Sequence, residues 1–296
     1  MISEKLVLQF DRLKEKFASI QHYQRLVSKN TDDILKQLFD ELAGSEELSG
    51  ELKELFSSSL SNFFYPNPQT GDQQLYSHKK TSIQETIDLT YLYKNRQYQW
   101  LLSEAFEAFE QFVKAVYVIC GVEDADFWHS EHMRKNFPEN PTHEDFAEAA
   151  KFLTVTKILN RVRVKVPSIS QYETGHLVLG HLKFYLTLIE KIRHISVHAN
   201  GVTSDKEKVV IDILRGCNAL DGSETEAIAR ASIENYFGTG DYENHILLLE
   251  QKVNIHPVIS SHINRQEYLA NKMLSYSHLL VFEVASFFDR KLTDQN

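Results

Sequence analysis

Cysteine is almost missing from this chain, with Cys120 and Cys217 the two examples in 296 residues. Two thiols build neither a disulfide framework nor a four-thiolate zinc site, so a reducing, cytoplasmic setting is expected. Long apolar runs are missing too. Nowhere do roughly eighteen apolar residues follow one another without a charge, and Met1-Ile2-Ser3-Glu4-Lys5 does not open a basic stretch followed by an apolar one. Neither membrane spanning nor secretion is therefore expected. The chain has no glycine-rich phosphate loop of either common kind and no Gly-x-Ser-x-Gly elbow, which leaves nucleotide hydrolysis and serine-hydrolase chemistry without support. Internal repeats, heptad runs and low-complexity segments are also lacking. Basic charge is in deficit: 32 Lys and Arg against 41 Asp and Glu leave a net charge of −9. That balance argues against a protein that coats nucleic acid nonspecifically, because phosphate binding draws on clustered cations.

The charge that is present is unevenly spread. Residues 151–201 carry eight basic side chains and two acidic ones, a local +6, whereas residues 121–150 carry eight acids against Arg134 and Lys135, a local −6. One region can attract phosphate while most of the surface repels it. The 42% apolar content suffices for one large core or two smaller ones, and two parts are expected. These are an N-terminal helical region over residues 1–95 and a helical domain over 96–290 with an acidic insertion near 121–142, followed by a tail at 291–296.

Periodicity makes the fold class all-α, with room for one or two short strands. Leu6, Phe10, Leu13, Phe17 and Ile20 recur at three- and four-residue steps, as do Ile34, Leu35, Leu38, Phe39 and Leu42 before Ala43-Gly44-Ser45. A third amphipathic piece is expected over 51–64, and Tyr65-Pro66-Asn67-Pro68 with Gly71-Asp72 reads as a loop. Residues 97–120 give the clearest helix, with an apolar arc wide enough for burial on more than one side. A long acidic connection follows, then a short helix over 143–153. Arg161, Arg163 and Lys165 alternate with Val162, Val164 and Val166, which predicts an extended basic ribbon or short strand over 158–166. After Pro167, a long helix is expected over 173–198, with Val178, Leu182, Tyr185, Leu186, Ile189 and Ile192 along one stripe and Asn200-Gly201 as its stop. Residues 205–258 allow either short strands or buried helical turns at 209–214 and 246–249, and a last helix is expected over 264–288.

The end of the 173–198 helix carries the residues suited to chemistry, Arg193-His194-Ile195-Ser196-Val197-His198 followed by Asn200-Gly201. RNA cleavage at neutral pH needs a base for the 2′-hydroxyl proton, an acid for the leaving oxygen and a cation for the crowded phosphorane. His198 suits the base or acid role. Arg193 suits the phosphate, through a planar fork of donors that a lysine does not offer. Five residues along an α-helix turn through about 500°, so Arg193 and His198 project about 140° apart. A two-fold dimer removes the difficulty by composing the site from both copies. Arg161, Arg163, Lys165 and Asn200 are candidate substrate-binding groups, with Tyr172 and Tyr185 available for stacking on bases.

The Arg-x4-His segment, with a polar residue after the Arg, an apolar-rich spacer and a Gly-containing turn, resembles the signature of the HEPN family. The 97–120 helix with Phe106, Phe109 and Phe112 looks like that family's early helix, and 264–288 like its last, so the resemblance covers about residues 96–290. It implies an antiparallel helical bundle that dimerises and brings two Arg–His pairs to a shared cleft. It also implies a metal-independent endoribonuclease without cofactor, acting in toxin–antitoxin or antiviral defence. Arg193 and His198 would be catalytic with His194 as the polar position, RNA the substrate, and an antitoxin or regulatory protein a further partner. Other members lack catalysis, and the alternative is a noncatalytic dimerisation or RNA-binding module. Its Arg193 would be a helix-end cation and its histidines would bond the last carbonyls. Metal binding competes chemically: His194 and His198 stand at i and i+4, and His129-x2-His132 offers a second pair, but no Glu follows His194 as a metalloprotease motif requires.

Overall fold

The computed structural model describes residues 2–133, 137–175, 180–256 and 259–294. The described chain is mostly helical with two short antiparallel strand pairs. In order, it forms α1 (Ile2–Glu46), α2 (Glu51–Phe56), β1 (Ser58–Pro66), β2 (Gln73–Ser82), α3 (Ile83–Glu123), α4 (His143–Ala150) and α5 (Val155–Lys165). Then come α6 (Pro167–Gly175), α7 (Leu182–His198), α8 (Lys206–Gly216), α9 (Glu224–Glu234), β3 (Glu250–His256), β4 (Ile259–Asn264) and α10 (Arg265–Asp294). Among the described residues, no helix is long and apolar enough to cross a membrane. Met1–His22 with Tyr98–Asn296 form one compact unit and Tyr23–Gln97 another.

Within Tyr23–Gln97, Leu35, Ile83 and Ile87 are buried together, with Leu38 and Leu42 packed on them. The Lys94 ammonium, also buried, pairs with Asp32 at 2.9 Å. The helix expected over 51–64 ends at Phe56, and β1 pairs with β2 instead. Ser57, Ser58, Ser59 and Ser61 are poor helix formers, and Phe63, Phe64 and Tyr65 favour extended backbone. Of the loop read over 65–72, Tyr65 and Pro66 end β1 and the remainder becomes the turn of this hairpin. It is closed by Asn67, whose carbonyl accepts from Gly71 N–H and whose N–H donates to Asp72, both at 2.8 Å.

In the other unit, Tyr98, Leu102, Ala105, Phe109, Val113, Val116 and Tyr117 form the fully buried face of α3. Leu269, Met273, Tyr276, Leu280 and Val284 do the same on α10, and Phe109 meets Tyr276 edge-on, with centroids 6.2 Å apart. The acidic connection after α3 is less open than its composition suggests, because it buries Phe127 and Trp128. Trp128 stacks on Tyr117, centroids 4.4 Å apart, and its indole N–H donates to the Tyr117 carbonyl at 2.8 Å. The connection packs directly on Gly121, where an added Cβ would come within 2.5 Å of that indole nitrogen. Arg134 and Lys135 of this stretch lie outside the described residues. α4 starts at a capping box: the Thr142 hydroxyl accepts from Asp145 N–H, and the Asp145 carboxylate accepts from Thr142 N–H.

Two expectations change in this unit and one open alternative is decided. Residues 158–166 are helix, not ribbon: Val155, Ile158, Leu159 and Val162 share a buried face at helical spacing, while Val164 is 69% exposed. Thr154 caps the start of α5, and Pro167 begins α6. The helix expected over 173–198 is observed as α6 and α7, with Val178 of its stripe outside the described residues. Residues 209–214 lie in α8 and not in a strand; at 246–249, Ile246 forms an isolated bridge to Phe237. The helix α9, capped by Ser223, was not expected.

Candidate active site

The helix that carries the motif is fixed at both ends. At the start of α7, the His181 ring nitrogen accepts from Phe184 N–H at 3.0 Å. Leu182, Leu186, Ile189, Ile192 and Ile195 then give it a buried stripe. At its end, Ile195 O accepts from Ala199 N–H at 2.9 Å and from Gly201 N–H at 3.1 Å, closing loose carbonyls of the last turn. Asn200 and Gly201 take φ values of 54° and 76°, the left-handed region that this cap requires. A side chain at Gly201 would also crowd the Gln99 amide of α3. That amide donates to Ile246 O at 2.8 Å, and Ile246 N–H donates back to Gly201 O at 2.8 Å. Residues far apart in sequence thus hold the terminus on which His198 sits.

His194 and His198 are both exposed, ring centroids 4.7 Å apart. Among the described residues neither side chain makes a hydrogen bond, so the imidazoles are not spent on capping carbonyls. Arg193 is disposed differently. Its guanidinium carbon lies 5.6 Å from the Phe106 ring centroid, one Nη donates to Glu107 Oε1 at 3.5 Å, and its Nε is buried without a partner. Burying an N–H unpaired is costly, so this nitrogen has unmet demand for an acceptor. Ser196, on the same helix, buries a hydroxyl that also lacks a partner. Glu190 does not take up His194; it accepts from Thr156 at 3.4 Å. Glu190 and His194 line a hollow of about 340 Å3 together with Thr187, Lys191 and Asp212. There Lys191 pairs with Asp212 at 2.7 Å, and its hydrogen bond holds that carboxyl below the usual carboxylate range.

The expected substrate-binding residues separate. Arg163 faces inward and grips the buried Glu173 carboxylate with two donors, at 2.7 and 2.9 Å, while the Tyr276 hydroxyl donates to the same carboxylate at 3.0 Å. This guanidinium holds α5, α6 and α10 together. Arg161 donates to the carbonyls of Asp126, Phe127 and Trp128. Lys165 is partly exposed in the last turn of α5, and Asn200 is exposed in the cap after α7. Tyr172 is exposed, whereas Tyr185 shares a hydrogen bond with Tyr268 at 2.9 Å under the Lys272 ammonium, and burial pushes its phenol pKa up. The contacts of Arg193 to Phe106 and Glu107 escape sequence reasoning because 86 residues separate Arg193 from Glu107 and no local pattern links them.

No family model, curated protein or solved structure matches this chain. What the site can do rests on its own groups: two solvent-facing imidazoles for proton transfer, and one arginine with an unused buried donor. Among the described residues, no three His, Cys, Asp or Glu side chains gather as a metal site.

Proposed function

We propose that the chain is an endoribonuclease of HEPN type, an antiparallel helical bundle that cleaves RNA without a metal ion when two copies pair. The observation that carries the reading is the exposed, unbonded His194–His198 pair beside Arg193 on the last turns of α7. His198 takes the proton of a 2′-hydroxyl, and the resulting oxygen attacks the adjacent phosphorus. The P–O5′ bond breaks, and the leaving oxygen receives a proton from a second imidazole, His194 or the other copy's His198. The products are a 2′,3′-cyclic phosphate and a free 5′-hydroxyl. Arg193 neutralises the phosphorane oxygens. In one copy it leans toward α3 and Glu107 while His198 projects about 140° away, so the reading requires a homodimer. A cytoplasmic setting and an antitoxin or regulatory protein that restrains the nuclease belong to the same proposal.

One observation favours a second reading, a noncatalytic dimerisation or RNA-binding module: the Arg193 guanidinium already has Glu107 and Phe106 as neighbours. Incubating the purified full chain with mixed RNA and EDTA separates the two. Cleavage that persists in chelator and disappears in both Arg193→Ala and His198→Ala is the expected result. Activity indifferent to either change removes the enzyme, and binding without cleavage selects the module.

A further inference from the structure

A second hollow, of about 380 Å3, is lined by the turn at Ser130–His132 and by α5. Its walls include His129, His132, Lys157, Asn160 and Arg161, with Glu131 the one acid among them. Lys157 and Arg161 stand four apart, so one helical face presents both cations.

Arg161 is immobilised without being neutralised. Its Nε donates to Phe127 O at 2.8 Å, and one Nη donates to Asp126 O and Trp128 O at 2.9 Å. Three carbonyls hold the plane of the guanidinium but carry no net charge, and the other Nη makes no hydrogen bond among the described residues. Lys157 likewise has no ion pair among those residues. Asn160 uses its side-chain oxygen to accept from Arg163 at 2.8 Å, so its amide NH2 is the end left for a ligand.

The His129 imidazole is set up as a donor as well. Burial pushes the Tyr117 phenol up to about 12, so it stays protonated. Its oxygen accepts from His129 N–H at 3.3 Å and shares a hydrogen bond with His132 Nδ1, 2.9 Å away. His129 Nδ1 accepts from Glu131 N–H at 3.2 Å. The His129 ring therefore carries its proton on Nε2 when neutral. Burial, then the charges of His129, Lys157 and Arg161, hold the His132 pKa below the usual histidine value. Glu131 opposes this weakly, since its side chain is 85% exposed and sits 3.9 Å from His129.

We propose that this pocket binds a phosphate group, taken by Lys157, Arg161, the Asn160 amide and the His129 and His132 rings. A tetrahedral dianion or diester anion supplies both missing things, counter-charge for two unpaired cations and acceptors for several unused donors. The phosphate belongs either to a free phosphomonoester or to a nucleic-acid backbone. The proposal stands apart from α7, since it uses none of the motif residues.

The test is a titration of the full chain, followed by NMR of its histidine ring protons, with inorganic phosphate, a 5′-nucleoside monophosphate and a 2′-O-methylated RNA oligomer. The expected result is saturable shifts of His129 and His132 that weaken by about tenfold in Lys157→Ala and are unchanged in His198→Ala. Lys157 is exposed, and an unchanged unfolding midpoint shows that its variant folds. Tighter saturation by the oligomer than by the small phosphates identifies a backbone site, and equal or weaker saturation identifies a free phosphate site. Absence of saturable shifts with all three probes, or equal affinity in Lys157→Ala, overturns the proposal.

Discussion

Arg193 places its guanidinium carbon 5.6 Å from the Phe106 ring centroid, with Glu107 of the same helix at 3.5 Å. The Glu107 side chain is 63% exposed, so the pair is solvent-screened and weak, worth about 0–1 kcal/mol. A phosphate oxygen can displace it. If Arg193 binds the scissile phosphate, Glu107→Gln frees the guanidinium and raises kcat/KM on RNA by about two- to fivefold. Lower activity in Glu107→Gln would instead make the carboxylate a positioning residue for Arg193.

Composing the site from two copies has a stoichiometric consequence. Arg193→Ala and His198→Ala are each inactive alone, yet mixing equal amounts restores about a quarter of wild-type sites, because half the dimers carry one intact Arg–His combination. Cleavage assays on mixtures after subunit exchange read this directly. Zero recovery with demonstrated exchange means that both groups act within one chain.

The Arg163–Glu173 pair, with Tyr276 as third member, is buried where three helices meet. Glu173→Gln leaves the guanidinium without its counter-charge and costs about 3–5 kcal/mol. Replacing both partners, Arg163→Met with Glu173→Leu, costs less than either single change, because neither variant side chain needs a charge. Urea midpoints of Glu173→Gln, the two single changes and the double variant decide the matter, and a surface-like loss below about 1 kcal/mol for Glu173→Gln contradicts it.

Gly201→Ala strains a backbone at φ 76° and pushes a methyl onto the Gln99 amide. The expected loss is about 1–3 kcal/mol in stability, with cleavage falling further because the same cap positions His198. Thermal unfolding and activity are measured on one preparation, and an Ala variant as stable as wild type refutes the close approach.

His132 makes stability depend on pH with a defined sign. Its folded pKa is depressed by burial and then by its cationic neighbours, so the unfolded chain binds a proton at higher pH than the fold does. The associated stability is complete above about pH 6.5 and is lost as pH falls toward the folded value. Urea midpoints on either side of that pH fall less in His132→Gln than in wild type, and parallel falls in both refute the assignment. Added phosphate, by favouring the charged ring, shallows the wild-type fall if the pocket binds it.

The helices with a strong three- and four-residue period were legible directly. The apolar arc expected over 97–120 lies within α3, and the final helix expected over 264–288 lies in α10 from Arg265 on, Asn264 ending β4. The short helix expected over 143–153 is observed as α4, ending at Ala150. Where two periods fit one segment, sequence was insufficient. Val162, Val164 and Val166 alternate as in a strand, but Val155, Ile158, Leu159 and Val162 also share a helical stripe, and burial against α6 and the connection after α3 selects the second pattern. α9 escaped notice because its one fully buried side chain, Ile233, gives no stripe.

The sequence by itself determined the helical character, the basic stretch at 151–201 and the presence of an arginine and two histidines before an Asn-Gly stop, since each depends on residues within a few positions of one another. It did not determine which cations remain free. Arg161, Arg163 and Arg193 look alike in the chain, and only packing gave the first three neutral carbonyls, the second a buried carboxylate and the third an aromatic face with a distant glutamate. Partners of this kind lie up to 113 residues away, at Tyr276 for Arg163, so the charge left over for a ligand is fixed by tertiary structure.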